Sequence, residues 1–422
     1  MDRRTFLKAS GSATTVGVLA GCIGGNGNGG GNGNGGGNGN GGGNGNGNGG
    51  GNGDGGGSDE PIVIGAIQPL SGNFGPWGQS HQAGLEYGIQ EINADGGVLD
   101  RELEVVSNDT ASDPSQADSY FREFVEQDDA VAITGAVSSD VGIRTSDTAQ
   151  ELEVPNFLHM AGADAVINDQ RQHTFRVGLL PASNTMIAQS QLIEERGYEN
   201  IGAIVGDYAW GRSIEAAMQE QFDVDVQIEV APVGTSDFRP YLRSFDDDIE
   251  FLNATGHPPG NFTITQQAFD IGLDPDVVSG SGFPPAVIQG ALGDLAQEAY
   301  LHYHMSDYTT DEYISVAEGF GEEFPDQDFD THHSYGYVTA HLIAAAIENA
   351  GEATPAAITE AVRDIEFETL YPEPLQYTNG GEPDGQVQIY SQFTSEAPEY
   401  ASDRDWGLSE VFRSDPLPAR EY

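Results

Sequence analysis

Cysteine occurs once, at Cys22, so no disulfide can form within the chain and no cysteine cluster can hold a metal. Lysine also occurs once, at Lys8. Basic residues number 16 against 67 acidic ones, a formal net charge of −51. The acids are spread along the chain, and the longest uninterrupted run is Asp246, Asp247 and Asp248. Nucleic acid and anionic surfaces are therefore poor partners, because both would repel the chain. An acidic shell of this kind repels itself in dilute buffer. In molar salt the Debye length falls to about 3 Å and the repulsion is screened, so a very salty milieu is expected. Long apolar runs are missing too. The stretch Ala9 to Ala20 is only mildly apolar and too short to span a bilayer. No H-E-x-x-H, Walker A or G-x-S-x-G motif occurs outside a Gly/Asn tract. Hydrolases and nucleotide enzymes thus find no support; no catalytic residue, cofactor or metal is expected.

The first residues carry chemistry of another kind. Arg3, Arg4, Phe6, Leu7 and Lys8 resemble a twin-arginine export signal, which carries folded proteins. Leu19-Ala20-Gly21-Cys22 resembles a lipobox, with a small residue before the cut and a thiol to take the lipid. Residues 1–21 are then a signal peptide and Cys22 is the lipidated first residue. The expected location is outside the cytoplasm, anchored to the outer face of the cell membrane, since each buried CH2 of a lipid contributes about 0.8 kcal/mol. Residues 23 to 57 are nearly all Gly and Asn and cannot build a core. The segment 22–57 is expected to be a flexible tether with a reach on the order of 30–35 Å.

From Pro61 onward the pattern is globular. Apolar runs such as Ile62 to Ile67, Ala130 to Thr134 and Asn200 to Val205 suit strands buried on both faces. Stretches of helical spacing separate them, Gln79 to Ala94 and Pro114 to Gln127 among them. This alternation predicts an α/β fold of two Rossmann-like lobes with parallel sheets. Lobe 1 is expected to comprise 60–178 plus 305–365, and lobe 2 to comprise 179–304 plus 366–422. A long helix, His332 to Ala350, should return to the first lobe. Ligands of such sheets sit at the carboxyl ends of the strands.

Three stretches resemble the leucine-binding type of ABC transporter substrate-binding protein, which has the type I periplasmic binding protein fold. They are P-L-S-G-N-F-G-P-W-G (Pro69 to Gly78), G-L-E-Y-G-I-Q-E-I-N-A-D-G-G-V (Gly84 to Val98) and N-D-T-A-S-D-P (Asn108 to Pro114). The resemblance implies three crossovers between the lobes and a partner permease in the membrane. It also implies a small ligand: a branched-chain or hydrophobic amino acid, or a related small carboxylate or amide. Residue by residue, Trp77 stands at an aromatic wall, and Ser139, beside Ser138, at the serine that binds a ligand carboxylate. Ala161 and Gly162 fall in a segment that binds through backbone groups, with Gly162 where a threonine would be. Trp210 stands at an aromatic that closes from lobe 2, next to Tyr208, and His257 at a second-lobe tyrosine. The family's amino-acid binders place an acid after the strand near Val277. Here that position is Ser281, in a loop without an acid, which weakens the reading of an α-amino acid ligand, because a buried unpaired ammonium costs several kcal/mol.

Plainer readings compete. The tryptophans would also serve as packing, the serines as helix caps, and His257-Pro258-Pro259 as a turn. His302 and His304 share one face of a strand, with His332 and His333 further on; surface or crossover positions are expected for them rather than a metal site. A ligand-sensing receptor domain would share the fold, and an enzyme would need a nucleophile and base that the sequence does not offer.

Overall fold

A computed structural model describes residues 60–422 apart from Asn379 and Glu421. The leader, Cys22 and the Gly/Asn tether lie outside the described residues. Two sheets organise the rest.

The chain begins with β1 (Ile62–Ile67), α1 (Gly75–Ala94), β2 (Leu103–Ser107), α2 (Pro114–Glu126), β3 (Ala132–Gly135), α3 (Ser139–Leu152), β4 (Asn156–Leu158) and β5 (Thr174–Arg176). These strands form an all-parallel sheet in the order β2-β1-β3-β4-β5. β3 and β4 are buried at every position, as expected for strands covered by helices on both sides. Asp113 starts α2, its carboxylate accepting from the Ser115 and Gln116 N–H groups.

The chain then passes to a second sheet through α4 (Ala182–Arg196), β6 (Ile201–Gly206), α5 (Ala209–Gln221), β7 (Val226–Ala231), α6 (Arg239–Leu242), β8 (Phe251–Thr255), α7 (Gly260–Asp270), β9 (Val277–Gly280), α8 (Pro285–Leu292), α9 (Asp294–Ala299) and β10 (Tyr300–His304). It returns through α10 (Asp311–Glu323), α11 (Thr331–Ala350) and α12 (Pro355–Asp364), then crosses again to β11 (Ile389–Thr394) and β12 (Gly407–Arg413). The second sheet has the order β12-β11-β10-β9-β8-β6-β7; β6 to β10 are parallel, and β11 and β12 add an antiparallel hairpin at one edge. The two-lobe α/β architecture with three crossings is thus present.

α11 returns to the first lobe and lies along α1. The approach is close because glycines line it. A Cβ on Gly84 would fall 1.9 Å from the His333 carbonyl oxygen, and one on Gly336 would fall 2.0 Å from that of His81. A capping box between Asp330 and His333 fixes the start of α11. The third crossing stays with the first lobe beyond residue 366: Arg176 N–H donates to the Gly381 carbonyl at 3.0 Å. Nearby, Arg176 and Glu382 form a two-pronged ion pair (2.7 and 3.0 Å) with 1% and 0% of their side chains exposed.

Among the described residues, no helix is long and apolar enough to cross a membrane.

Candidate functional site

A small cavity of about 30 Å³ lies between the lobes, at the carboxyl ends of the strands. Its wall comes from Phe74, Trp77, Val137, Ser138, Ser139, Met160 and Leu179 on one side, and from Tyr208, Trp210, Pro258, Ser281, Gly282 and Tyr303 on the other. Six of the nine ligand residues expected from sequence therefore meet at one place: Trp77, Ser138, Ser139, Tyr208, Trp210 and Ser281.

The other three stand one layer back. Ala161 is buried, and its carbonyl accepts from the Arg176 guanidinium. Gly162 supports Trp210: a Cβ on it would lie 2.5 Å from the Trp210 ring and 2.8 Å from Leu179. A threonine there would displace the indole, which gives the missing hydroxyl a physical reason. His257 packs its ring against Phe74 (5.5 Å) and Tyr208 (4.9 Å), while its neighbour Pro258 reaches the cavity.

Trp77 sits on the first turn of α1 rather than in a loop, because Pro76 is accommodated at the helix start. Its Nε1–H donates across the cleft to the Gly282 carbonyl at 2.6 Å, and its ring lies 3.7 Å from that of Phe283. On another stretch of the seam the Asp164 N–H donates to Ser213 Oγ at 3.0 Å. The lobes therefore touch, and the cleft is closed.

The hydroxyls are placed unevenly. Ser139 Oγ accepts from the Ala163 N–H at 3.0 Å, leaving its own proton to donate elsewhere. Ser138 is the N-cap of α3 but makes no side-chain cap. Ser281 is buried, and its hydroxyl faces that of Tyr208. The Tyr303 hydroxyl lies 3.4 Å from the Gly282 N–H. Burial pushes the Tyr208 and Tyr303 hydroxyls above the usual tyrosine range, so both remain neutral donors.

Four helices, α1, α3, α5 and α7, begin at this cavity, and none has a side-chain cap. Their N-termini bring partial positive charge toward it. The wall itself holds no Asp, Glu, Lys or Arg. Asp140, exposed in the first turn of α3, is the carboxylate felt by both Tyr208 and His257. The sequence did not mark Phe74, Val137, Leu179, Pro258, Gly282 or Tyr303 as ligand residues, and Met160 only as the start of the segment that holds Ala161 and Gly162.

The histidines depart from expectation. His302, His304, His332 and His333 are at most 4% exposed, not at the surface. Among the described residues, no group of three or more His, Cys, Asp or Glu side chains is placed to hold a metal ion.

A family model described as periplasmic binding protein matches residues 61–395. The Leu/Ile/Val-binding protein homolog 8 of Brucella abortus is 25% identical over 330 residues, covering 72% of this chain and 81% of its own. The leucine-, isoleucine-, valine-, threonine- and alanine-binding protein of Pseudomonas aeruginosa is 25% identical over 317 residues, covering 74% and 84%. Two solved structures share the fold. One is a branched-chain amino acid transporter substrate binding protein from Streptococcus pneumoniae in complex with isoleucine, with a TM-score of 0.71, 18% identity, and coverage of 83% of this chain and 100% of that one. The other is an ABC transporter solute binding protein from R. palustris in complex with benzoate, with a TM-score of 0.70, 17% identity, and coverage of 86% and 98%. With the model spanning most of the chain and two lobes closed on a cleft, this chain belongs to the periplasmic binding protein family, whose members bind solutes rather than catalyse.

Proposed function

We propose that this chain is the extracytoplasmic solute-binding lipoprotein of an ABC importer, held at the membrane through Cys22 and delivering its ligand to a permease. The ligand is a small, largely apolar molecule with a carboxylate or amide head, gripped between Trp77 and Trp210. One observation carries the choice of ligand: four uncapped helix N-termini and several neutral hydroxyls converge on an aromatic cavity with no ionised side chain on its wall. Such a wall favours a single negative or neutral head. An α-amino acid would bury an ammonium with no counter-charge beside it, at a cost of several kcal/mol. A plain aromatic or branched aliphatic carboxylate avoids that cost. Branched-chain amino acids, named for the Brucella and Pseudomonas relatives, remain the second reading. They would require Asp140 to turn inward.

Calorimetry with benzoate and with isoleucine separates the two. Tighter benzoate binding supports the plain carboxylate. Tighter isoleucine binding that is lost in Asp140→Asn would overturn it. The anchor is tested by fractionating Cys22→Ser: release from the membrane is expected, and retention would contradict lipidation at this residue.

A further inference from the structure

Nine histidines occur in the chain, and six of them (His81, His159, His302, His304, His332 and His333) are at most 4% exposed. Five of those six form an unbroken line of ring contacts. His159 meets His81 at 4.7 Å, His81 meets His332 at 5.6 Å, His332 meets His302 at 6.4 Å, and His302 meets His304 at 5.4 Å. The line starts just past β4 in the first sheet, passes through α1 and α11, and ends on β10 in the second sheet. It crosses from lobe to lobe immediately behind the cavity wall. His81 lies one helical turn beyond Trp77, and His302 is next to Tyr303 on the opposite face of β10. The His332 ring faces the carbonyls of Gly282 and Phe283, the two residues clamped by Trp77.

The two ends of the line are satisfied. His159 contacts Gln68 Nε2 (3.1 Å), Thr134 Oγ1 (2.7 Å) and Thr339 Oγ1 (3.2 Å). His304 contacts the Ser306 carbonyl and Ser391 Oγ, both at 2.8 Å. The middle three are less so: no ring nitrogen of His81 or His302 makes a hydrogen bond to a protein group, and the His332 ring faces only the Gly282 and Phe283 carbonyls. The charged groups facing the line are few. Asp330 faces His302 and His332, but its carboxylate already accepts from the His332 and His333 backbone N–H groups and lies 2.8 Å from His333 Nδ1. Asp307 and Arg413 face His304 and pair with each other at 2.8 Å. His81 faces only the imidazoles of His159, His332 and His333. A proton on His81 or His302 would sit buried beside other imidazoles, with at most one shared carboxylate to offset it; on His332 it would meet that carboxylate and the Gly282 and Phe283 carbonyls.

We propose that this line of imidazoles is a proton latch on cleft closure: the closed form excludes protons from His81, His302 and His332, so acid opens the lobes and releases the ligand. The proposal rests on the two-lobe binding reading but not on the identity of the ligand. Burial, reinforced by neighbouring imidazoles, holds His81 and His302 well below the usual histidine range; burial holds His332 at about 4. An imidazole hydrated by opening would titrate near its ordinary value of about 6.5. Above about pH 6.5 both forms are neutral and closure is unopposed. Between about 6.5 and 4 the open form takes up protons that the closed form refuses, so closure weakens as pH falls. Each imidazole freed by opening shifts the closing equilibrium about tenfold toward open at pH 5.5.

The test is small-angle X-ray scattering on the full chain in molar KCl, without added ligand, from about pH 7.5 to about pH 5, with far-UV circular dichroism alongside. The radius of gyration should rise as pH falls while the dichroism stays constant. In His81→Gln/His302→Gln/His332→Gln, and in part in His332→Gln alone should the triple variant not fold, the rise should shrink or vanish. A radius that does not change with pH in the unmodified chain overturns the latch. So does an unchanged rise in the variants, or a rise accompanied by loss of helix signal, which is acid unfolding. Failure of benzoate and isoleucine to bind would refute the proposed ligand class and leave this test intact.

Discussion

Replacing Trp77 with Phe removes one hydrogen bond from the closed cleft and little else. The indole N–H donates to the buried Gly282 carbonyl at 2.6 Å, and the ring stacks on Phe283 at 3.7 Å. Phenylalanine keeps most of the stacking but leaves the carbonyl without its donor. An unpaired buried carbonyl costs about 1–3 kcal/mol. That cost applies only when the lobes are closed, because opening returns the carbonyl to water. Ligand affinity should therefore fall about 5- to 150-fold. The melting temperature of the ligand-free protein should barely move. Calorimetry with the natural ligand and differential scanning calorimetry without it measure the two quantities. Trp77→Ala should cost more, since the apolar contact with Phe283 is lost as well. Unchanged affinity in Trp77→Phe would refute the idea that this contact holds the cleft shut. An equal loss of ligand-free stability would show that the bond serves folding instead.

Gly162→Thr should weaken binding more than tenfold by driving the Trp210 ring from its seat, since the new Cβ would lie 2.5 Å from it; a crystal structure with the ring unmoved would contradict this. Glu382→Ala should destabilise the protein by about 3–5 kcal/mol in denaturant titrations, because it strands the buried Arg176 guanidinium. Arg176→Met/Glu382→Leu should recover much of that loss, and no recovery would mean the residues matter for packing rather than charge. The melting temperature should rise steeply from dilute buffer to molar KCl, because a net charge of −51 is left unscreened at low salt. A salt-independent melt would remove the basis for expecting a saline milieu.

Much of the fold was legible in the sequence because buried parallel strands are short apolar runs. β1, β3 and β6 lie where those runs predict them. β7 was missed because it is a half-buried edge strand, with charged Glu229 interrupting its pattern. β5 has only three residues and gives no periodic signal. The β11–β12 hairpin carries Ser391, Gln392, Ser409 and Glu410, so its alternation is diluted. At the site, six residues were found through resemblance and placement in loops after strands. Tyr303 was hidden between His302 and His304, whose spacing drew attention to the opposite face of β10. Leu179 lies on the first passage between the lobes, where nothing in the local pattern marks it as cavity wall. The burial of the histidines was not legible at all, because it depends on α1, α11 and β10 meeting across more than two hundred residues.

The most direct measurement is native mass spectrometry of the protein purified in high salt, followed by identification of any small molecule released on denaturation. The expected result is one bound small molecule per chain, with a carboxylate or amide head and no amine, and absent from Trp77→Ala/Trp210→Ala. An amine-bearing ligand such as leucine, or a bound species retained by the double variant, would contradict this assignment of the cleft.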